Sequence, residues 1–336
     1  MIRQAHGDDY PACPNAGNMP KQLQFGADSA VSYAARGGLV HWGGPSSRPI
    51  ADLQAATAAA LAAPIDFPPL RMAVVPGDKI VLALEPGVPR APALVAAVVN
   101  AVLQGGASAE DITILHALDD LQSGASDPRD KLPDAVRRQV SLATHHPDQR
   151  KDLSYLGADE HDQPIYVNRH LFDADVVVPI GCVRLDDVLG YGGIRATLYP
   201  TFADQAAHQR CRLADVNGAA GGNAKQHPAR RTRKESHQSR AKATGGGVSQ
   251  HEANHVAWLL GVLFSVQVVP GPANDVLHVL AGHLEVVLER GRELCRRAWT
   301  IEVPRRASLV VAALTGNAGQ QTWDNVGRAV AAAGRV

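Results

Sequence analysis

The sequence predicts an α/β protein built on a largely parallel sheet, and three observations carry that reading. Lys79-Ile-Val-Leu-Ala-Leu84, a helical stretch from Ala91 to Leu103, and Asp111-Ile-Thr-Ile-Leu-His116 follow one another. Strand, helix and strand within about 40 residues form a βαβ unit, whose strands lie parallel. A third apolar run, Val176 to Ile180, ends at Gly181 and opens into a stretch holding Gly190, Gly192 and Gly193. A buried strand followed by a glycine-rich turn is where open α/β sheets place their ligands. Beyond residue 264 strands and helices alternate again. The expected division is therefore a first α/β unit at 1–264 and a short second one at 265–336.

The elements follow in order. Residues 1–50 are rich in Gly, Pro and Asn and predict only short strands. Ala51 to Ala63 is helical by its alanine content, and Pro64, Pro68 and Pro69 end it. The helix at Ala91 closes on Gly105-Gly106. Leu132 to Val140 reads as a helix and Val140 to Thr144 as a strand. Pro164 to Asn168 reads as extended chain and Thr201 to Leu213 as a helix. Residues 217–247 carry seven Lys and Arg against one acid, Glu235, with no apolar period, and read as a solvated, disordered basic insertion. Then come a helix at His251 to Leu260, strands at Ser265 to Val269 and Val276 to Leu280, and a helix at Leu284 to Ala298. A strand at Ser308 to Ala313 and a helix at Gln321 to Ala333 complete the prediction.

Composition excludes several classes. Lys+Arg and Asp+Glu both total 33 in 336 residues, so a nucleic-acid or anionic-membrane binder is not expected. The longest apolar stretch, Val256 to Phe264, is too short to span a bilayer, and no signal-peptide core precedes it. Four scattered cysteines without a C-x-x-C pair fit a reducing compartment, so a cytoplasmic protein is expected.

One local motif stands out. His251-Glu-Ala-Asn-His255 fits H-E-x-x-H, which on a helix brings two imidazoles onto one face for zinc, with Glu252 as general base. Ser249 followed by Glu252 also forms a capping box, which explains the glutamate without a metal. His145-His146-Pro147-Asp148 reads as a surface turn. His116 ends a strand and could face the crevice, and Cys182 reads as a small buried side chain.

Several segments together resemble the nickel-dependent lactate racemase family, above all its N-terminal domain. They are ALAAPIDFPPLRMAVVPGDKIVLAL (60–84), EDITIL (110–115), HHPD (145–148) and LSYLGADEHDQPIYVNRHLFDADVVVPIG (153–181), continued by 190–200. The resemblance implies a two-domain fold with a shortened C-terminal α/β domain and a site in the cleft. It also implies isomerase chemistry on 2-hydroxy acids with a nickel pincer nucleotide, which takes hydride from C2 while one of two opposing histidines removes the hydroxyl proton.

Carried onto this chain, the resemblance implies a divergent member. The family's Asp-x-Thr-Arg-Pro motif becomes Glu85-Pro-Gly-Val-Pro-Arg90. The first catalytic histidine aligns with Leu121 and the second with Asp186, and the cofactor-tethering lysine aligns with Ala196 or Arg195. His208 matches the nickel ligand, and Asn325 and Arg328 match a substrate-binding glutamine and lysine. The expected site is thus Gly190, Gly192, Gly193 and Arg195 for a cofactor, and Arg90, Asn325 and Arg328 for a 2-hydroxy acid or other small carboxylate. Asp186 and His116 are the substitute bases and His208 the nickel ligand. Arginine stays charged and leucine moves no proton, so the racemase machinery reads as lost or rebuilt.

Overall fold

In the computed structural model the described residues are 2–4, 22–27, 29–32, 45–117, 126–159, 162–184, 197–211, 248–303, 309–316, 321 and 323–334. The segment 217–247 lies outside them.

Twelve strands are assigned among these residues: β1 (Ile2–Gln4), β2 (Gln22–Phe25), β3 (Ser29–Ser32), β4 (Ile80–Leu84), β5 (Ile112–Ala117), β6 (Ser141–His145), β7 (Leu153–Ala158), β8 (Pro164–Asn168), β9 (Val176–Cys182), β10 (Phe264–Pro270), β11 (Val276–His283) and β12 (Ile301–Val303). Six of them form one sheet in the order β11-β10-β9-β4-β5-β6. Every pairing in it is parallel except β10 with β11. β4 is buried along its whole length, as its unbroken run of apolar residues demands in a sheet covered on both faces.

The alternation of side chains along these strands builds two cores. Leu82, Leu84, Ile114, Ile180 and Val266 face the helices Leu53–Ala62 and Ala91–Gln104. Val81, Ala83, Leu115 and Val177 face the opposite side, against Leu198, Phe202, Ala257, Val287 and Leu288. Full burial of each large aliphatic side chain contributes about 1.5–3 kcal/mol, so these layers hold the sheet.

The βαβ unit forms as the sequence predicts, from β4 through Ala91–Gln104 to β5. Strands β10 and β11, read from the sequence as the start of the second unit, extend the central sheet. The helix Leu284–Trp299 packs on them through Val287, Leu288 and Cys295. Several elements depart from expectation, among them β12 and the short helix Arg169–Phe172, which the sequence did not predict. The hairpin β7–β8 includes a strand that the short, glycine-bearing sequence Leu153–Ala158, with no regular apolar alternation, did not announce. The strand expected at Ser308 to Ala313 is not formed at 309–313, where Leu309 and Val311 lie exposed with no partner strand among the described residues. Among the described residues, no helix is long and apolar enough to cross a membrane.

Candidate functional site

The winding of the sheet reverses at β4. From β4 the chain crosses to β5 on one side, and later returns to β9 on the other. Crevices at such reversals, beyond the carboxyl ends of the strands, are the usual ligand sites of open α/β sheets. Here the reversal is marked by a cluster of buried polar side chains on four separate chain segments.

Glu85 follows the last residue of β4, and its amide donates to Ile180 O at 2.9 Å. Its carboxylate turns toward the end of β9. Oε2 accepts from the Cys182 amide at 2.9 Å and from Thr197 Oγ1 at 3.0 Å. Oε1 pairs with Arg184 at 3.2 Å. A buried carboxylate needs such donors, because desolvation otherwise penalises its charge.

Gly181 makes this junction possible. A Cβ there would fall onto Thr197 Oγ1 and Glu85 Oε2, and would lie 3.2 Å from Gln267 Nε2. At this glycine, where the strand opens into the glycine-rich stretch, two polar side chains approach the backbone. Gln267 stands opposite Gly181 in the β9–β10 ladder. It is 0% exposed, and neither of its amide atoms has a hydrogen-bond partner among the described residues. Ser265, two residues earlier on the same face, is likewise fully buried with an unpartnered hydroxyl.

The residues singled out from the sequence fall in several places. Asp186, Gly190, Gly192, Gly193 and Arg195 lie outside the described residues, as do Leu121 and Ala196. His116 is the penultimate residue of β5 and pairs in register with Leu84, so alternation puts it on the opposite face from Gly181 and Gln267. Its Nδ1 meets Ala117 O at 3.2 Å and its Nε2 meets Thr144 Oγ1 at 3.1 Å. A carbonyl only accepts, so Nδ1 carries the proton and Nε2 receives the hydroxyl. Burial lowers its pKa and keeps the ring neutral, but its lone pair is engaged.

Arg90 caps the helix Ala91–Gln104 in the left-handed conformation, φ 53°. Its guanidinium donates to Ile50 O at 2.9 Å and Ala51 O at 3.2 Å, and so ties the preceding segment to the helix start. Arg328 donates to Asn325 Oδ1 at 3.1 Å, one turn apart on the helix Trp323–Ala333. His208 lies in the helical residues 205–211, half-buried, and its amide donates to Asp204 O at 3.3 Å. Among the described residues no group of three His, Cys, Asp or Glu side chains could hold a metal ion.

Of the pair 145–146, His146 opens a turn, with the Gln149 amide donating to its carbonyl at 3.2 Å, but His145 belongs to β6 and not to the surface. His145 is 1% exposed. Its Nε2 donates to Ala203 O at 2.9 Å, and its Nδ1 accepts from Asn168 Nδ2 at 3.1 Å. Burial pushes its pKa down to about 4. The HEANH segment is also used differently from either expectation. The helix already runs from Val248, so Ser249 lies inside it rather than at its cap. Glu252 points inward and accepts from Tyr199 Oη at 2.7 Å, while Arg210 Nη2 donates to the same phenol at 3.1 Å. Burial, reinforced by Glu252, raises the Tyr199 pKa. His255 stacks on Trp258. A carboxylate held by a buried phenol is not a free general base for a zinc-bound water. Cys182 is buried as expected. Desolvation, with Glu85 nearby, pushes its thiol up to about 12, so it is no nucleophile.

A family model and one solved structure with a TM-score above 0.5 agree with this architecture. Residues 39–216 match the family model described as the lactate racemase N-terminal domain. No curated protein sequence matches the chain. Among solved structures, the lactate racemase apoprotein from Thermoanaerobacterium thermosaccharolyticum aligns with a TM-score of 0.53 at 14% identity, covering 82% of this chain and 62% of that one. A Thermotoga maritima protein aligns with a TM-score of 0.47 at 14% identity, covering 76% of this chain and 61% of that one. The chain thus spans less than two thirds of the length of either structure.

Proposed function

The chain belongs to the lactate racemase N-terminal domain family, and on that premise we propose that it is a divergent member that binds a small carboxylate or nucleotide at the strand-end crevice without the family's two-base racemase route. The observation that carries this reading is the makeup of the junction itself. Glu85, Arg184, Thr197 and Gln267 meet where the sheet winding reverses, and none of them is an imidazole. A charge-paired carboxylate, a hydroxyl and an amide bind and orient a polar ligand. They do not supply a pair of opposing bases near neutral pKa.

The residues present do not fit a covalently tethered pincer nucleotide. No lysine occurs between Lys151 and Lys225, so no amine is available in the segment that the family uses for the thioamide link. His208, the residue matched to the nickel ligand, belongs to no metal-holding group among the described residues. His116, the other base candidate, has both ring nitrogens engaged.

The test is to express the protein with nickel and the cofactor-making enzymes, then offer lactate and other 2-hydroxy acids. The expected outcome is no interconversion of enantiomers and no covalent adduct by mass spectrometry, while small carboxylates or nucleotides raise the melting temperature. Racemisation at an ordinary enzymatic rate overturns the proposal.

A further inference from the structure

We infer that Gln267 reads an amide-type edge of the ligand, meaning a hydrogen-bond donor and acceptor side by side, so that the crevice selects a carboxamide or nucleobase lactam over a simple anion. This deepens the proposed function, since it concerns the same crevice, and it rests on that reading.

Three observations carry it. The Gln267 side chain is 0% exposed, yet neither Nε2 nor Oε1 has a partner among the described residues. The amide is aimed into the junction, because its Nε2 lies 3.2 Å from the Cβ position of Gly181, beside Glu85 and Thr197. Its strand is central, with β9 on one side and β11 on the other, so its place is set by two ladders rather than by a loose loop. An amide carries a donor and an acceptor in one plane. Its complement is another such pair, the geometry by which glutamine reads a base edge. A carboxylate or phosphate would take the Nε2 donation but set its own negative oxygen against Oε1. Among the described residues the guanidinium at the junction is that of Arg184, and it is paired with Glu85. Among the described residues the charges of Glu85 and Arg184 offset each other, so a neutral group fits beside Gln267 better than an anion.

Amide edges come from two sources, a ring carboxamide or a pyrimidine lactam. The probes are therefore nicotinamide mononucleotide and uridine monophosphate, with nicotinate mononucleotide and inorganic phosphate as anionic controls. Binding is measured by calorimetry on the full chain. The expected result is that one amide nucleotide binds at least tenfold tighter than nicotinate mononucleotide, and that Gln267→Met abolishes the preference. Which of the two binds names the source. A second reading does not need a ligand: removing an unpartnered buried amide raises the melting temperature of the ligand-free Gln267→Met protein. Equal binding of amide and anion, binding unchanged in Gln267→Met, no binding of any probe, or a lower melting temperature for the ligand-free variant overturns the inference. If only anions bind, the proposed function stands and this inference falls. If 2-hydroxy acids racemise while the amide preference holds, the reverse is true.

Discussion

Thr197 donates its hydroxyl to Glu85 across the face of Gly181, at 3.0 Å, and so joins two positions 112 residues apart in sequence. The bond exists only because the strand beneath has no side chain at that point. Gly181→Ala must therefore expel both groups or move the strand. Overpacking costs about 1–3 kcal/mol, and the displaced carboxylate loses its donors as well. Urea denaturation should show Gly181→Ala less stable than Thr197→Val, which removes one hydrogen bond worth about 1 kcal/mol.

Glu85→Ala removes the acceptor for the Cys182 amide and the partner of Arg184 together. The expected loss is about 2–4 kcal/mol, since buried donors are left unpaired. Glu85→Gln keeps one acceptor oxygen and should lie between the variant and the native protein in the same denaturation series.

His145 gives the fold an acid sensitivity. Its pKa is about 4 in the folded chain against an ordinary 6.5, so the unfolded state binds the proton first. Its contribution is complete above pH 6.5 and is lost as pH falls toward 4, by about 3 kcal/mol in all. Denaturation midpoints measured between pH 7 and 4 should fall less steeply in His145→Gln, which has no group titrating in that window.

Glu252 is expected to act in the fold and not on a metal. Glu252→Ala leaves the buried Tyr199 hydroxyl without its acceptor, at a cost of about 1–3 kcal/mol. Zinc content by elemental analysis should be negligible in both native and variant proteins. Stoichiometric zinc lost in the variant would restore the hydrolase reading.

Arg90→Ala should lower stability by about 1–2 kcal/mol through the lost bonds to Ile50 and Ala51. Ligand affinity at the junction should stay within threefold of native. A tenfold loss would return Arg90 to the substrate-binding role that the family resemblance implies.

The parts of the fold that were legible share one cause. Buried strands such as Ile80–Leu84 and amphipathic or alanine-rich helices write their period directly into the chain. The β7 strand was illegible because a two-stranded hairpin with one half-exposed face needs little apolar alternation. The site carried a fainter signal. In Phe264-Ser-Val-Gln-Val-Val-Pro270, two polar residues at period two interrupt an otherwise apolar run. Polar groups on a strand buried on both faces call for partners, so Ser265 and Gln267 could have been marked. Glu85 likewise stands directly after five buried residues.

The α/β class, the βαβ unit, the family resemblance and the absence of lysine between Lys151 and Lys225 can all be read along the chain, because each rests on residue types and spacings within single segments. Folding alone brings Glu85, Gly181, Thr197 and Gln267 together, turns His116 to the other face with its lone pair taken, and sets Glu252 against a phenol 53 residues away. The physical reason is that hydrogen bonds and desolvation act over a few ångströms of space, and strand order and register set those distances.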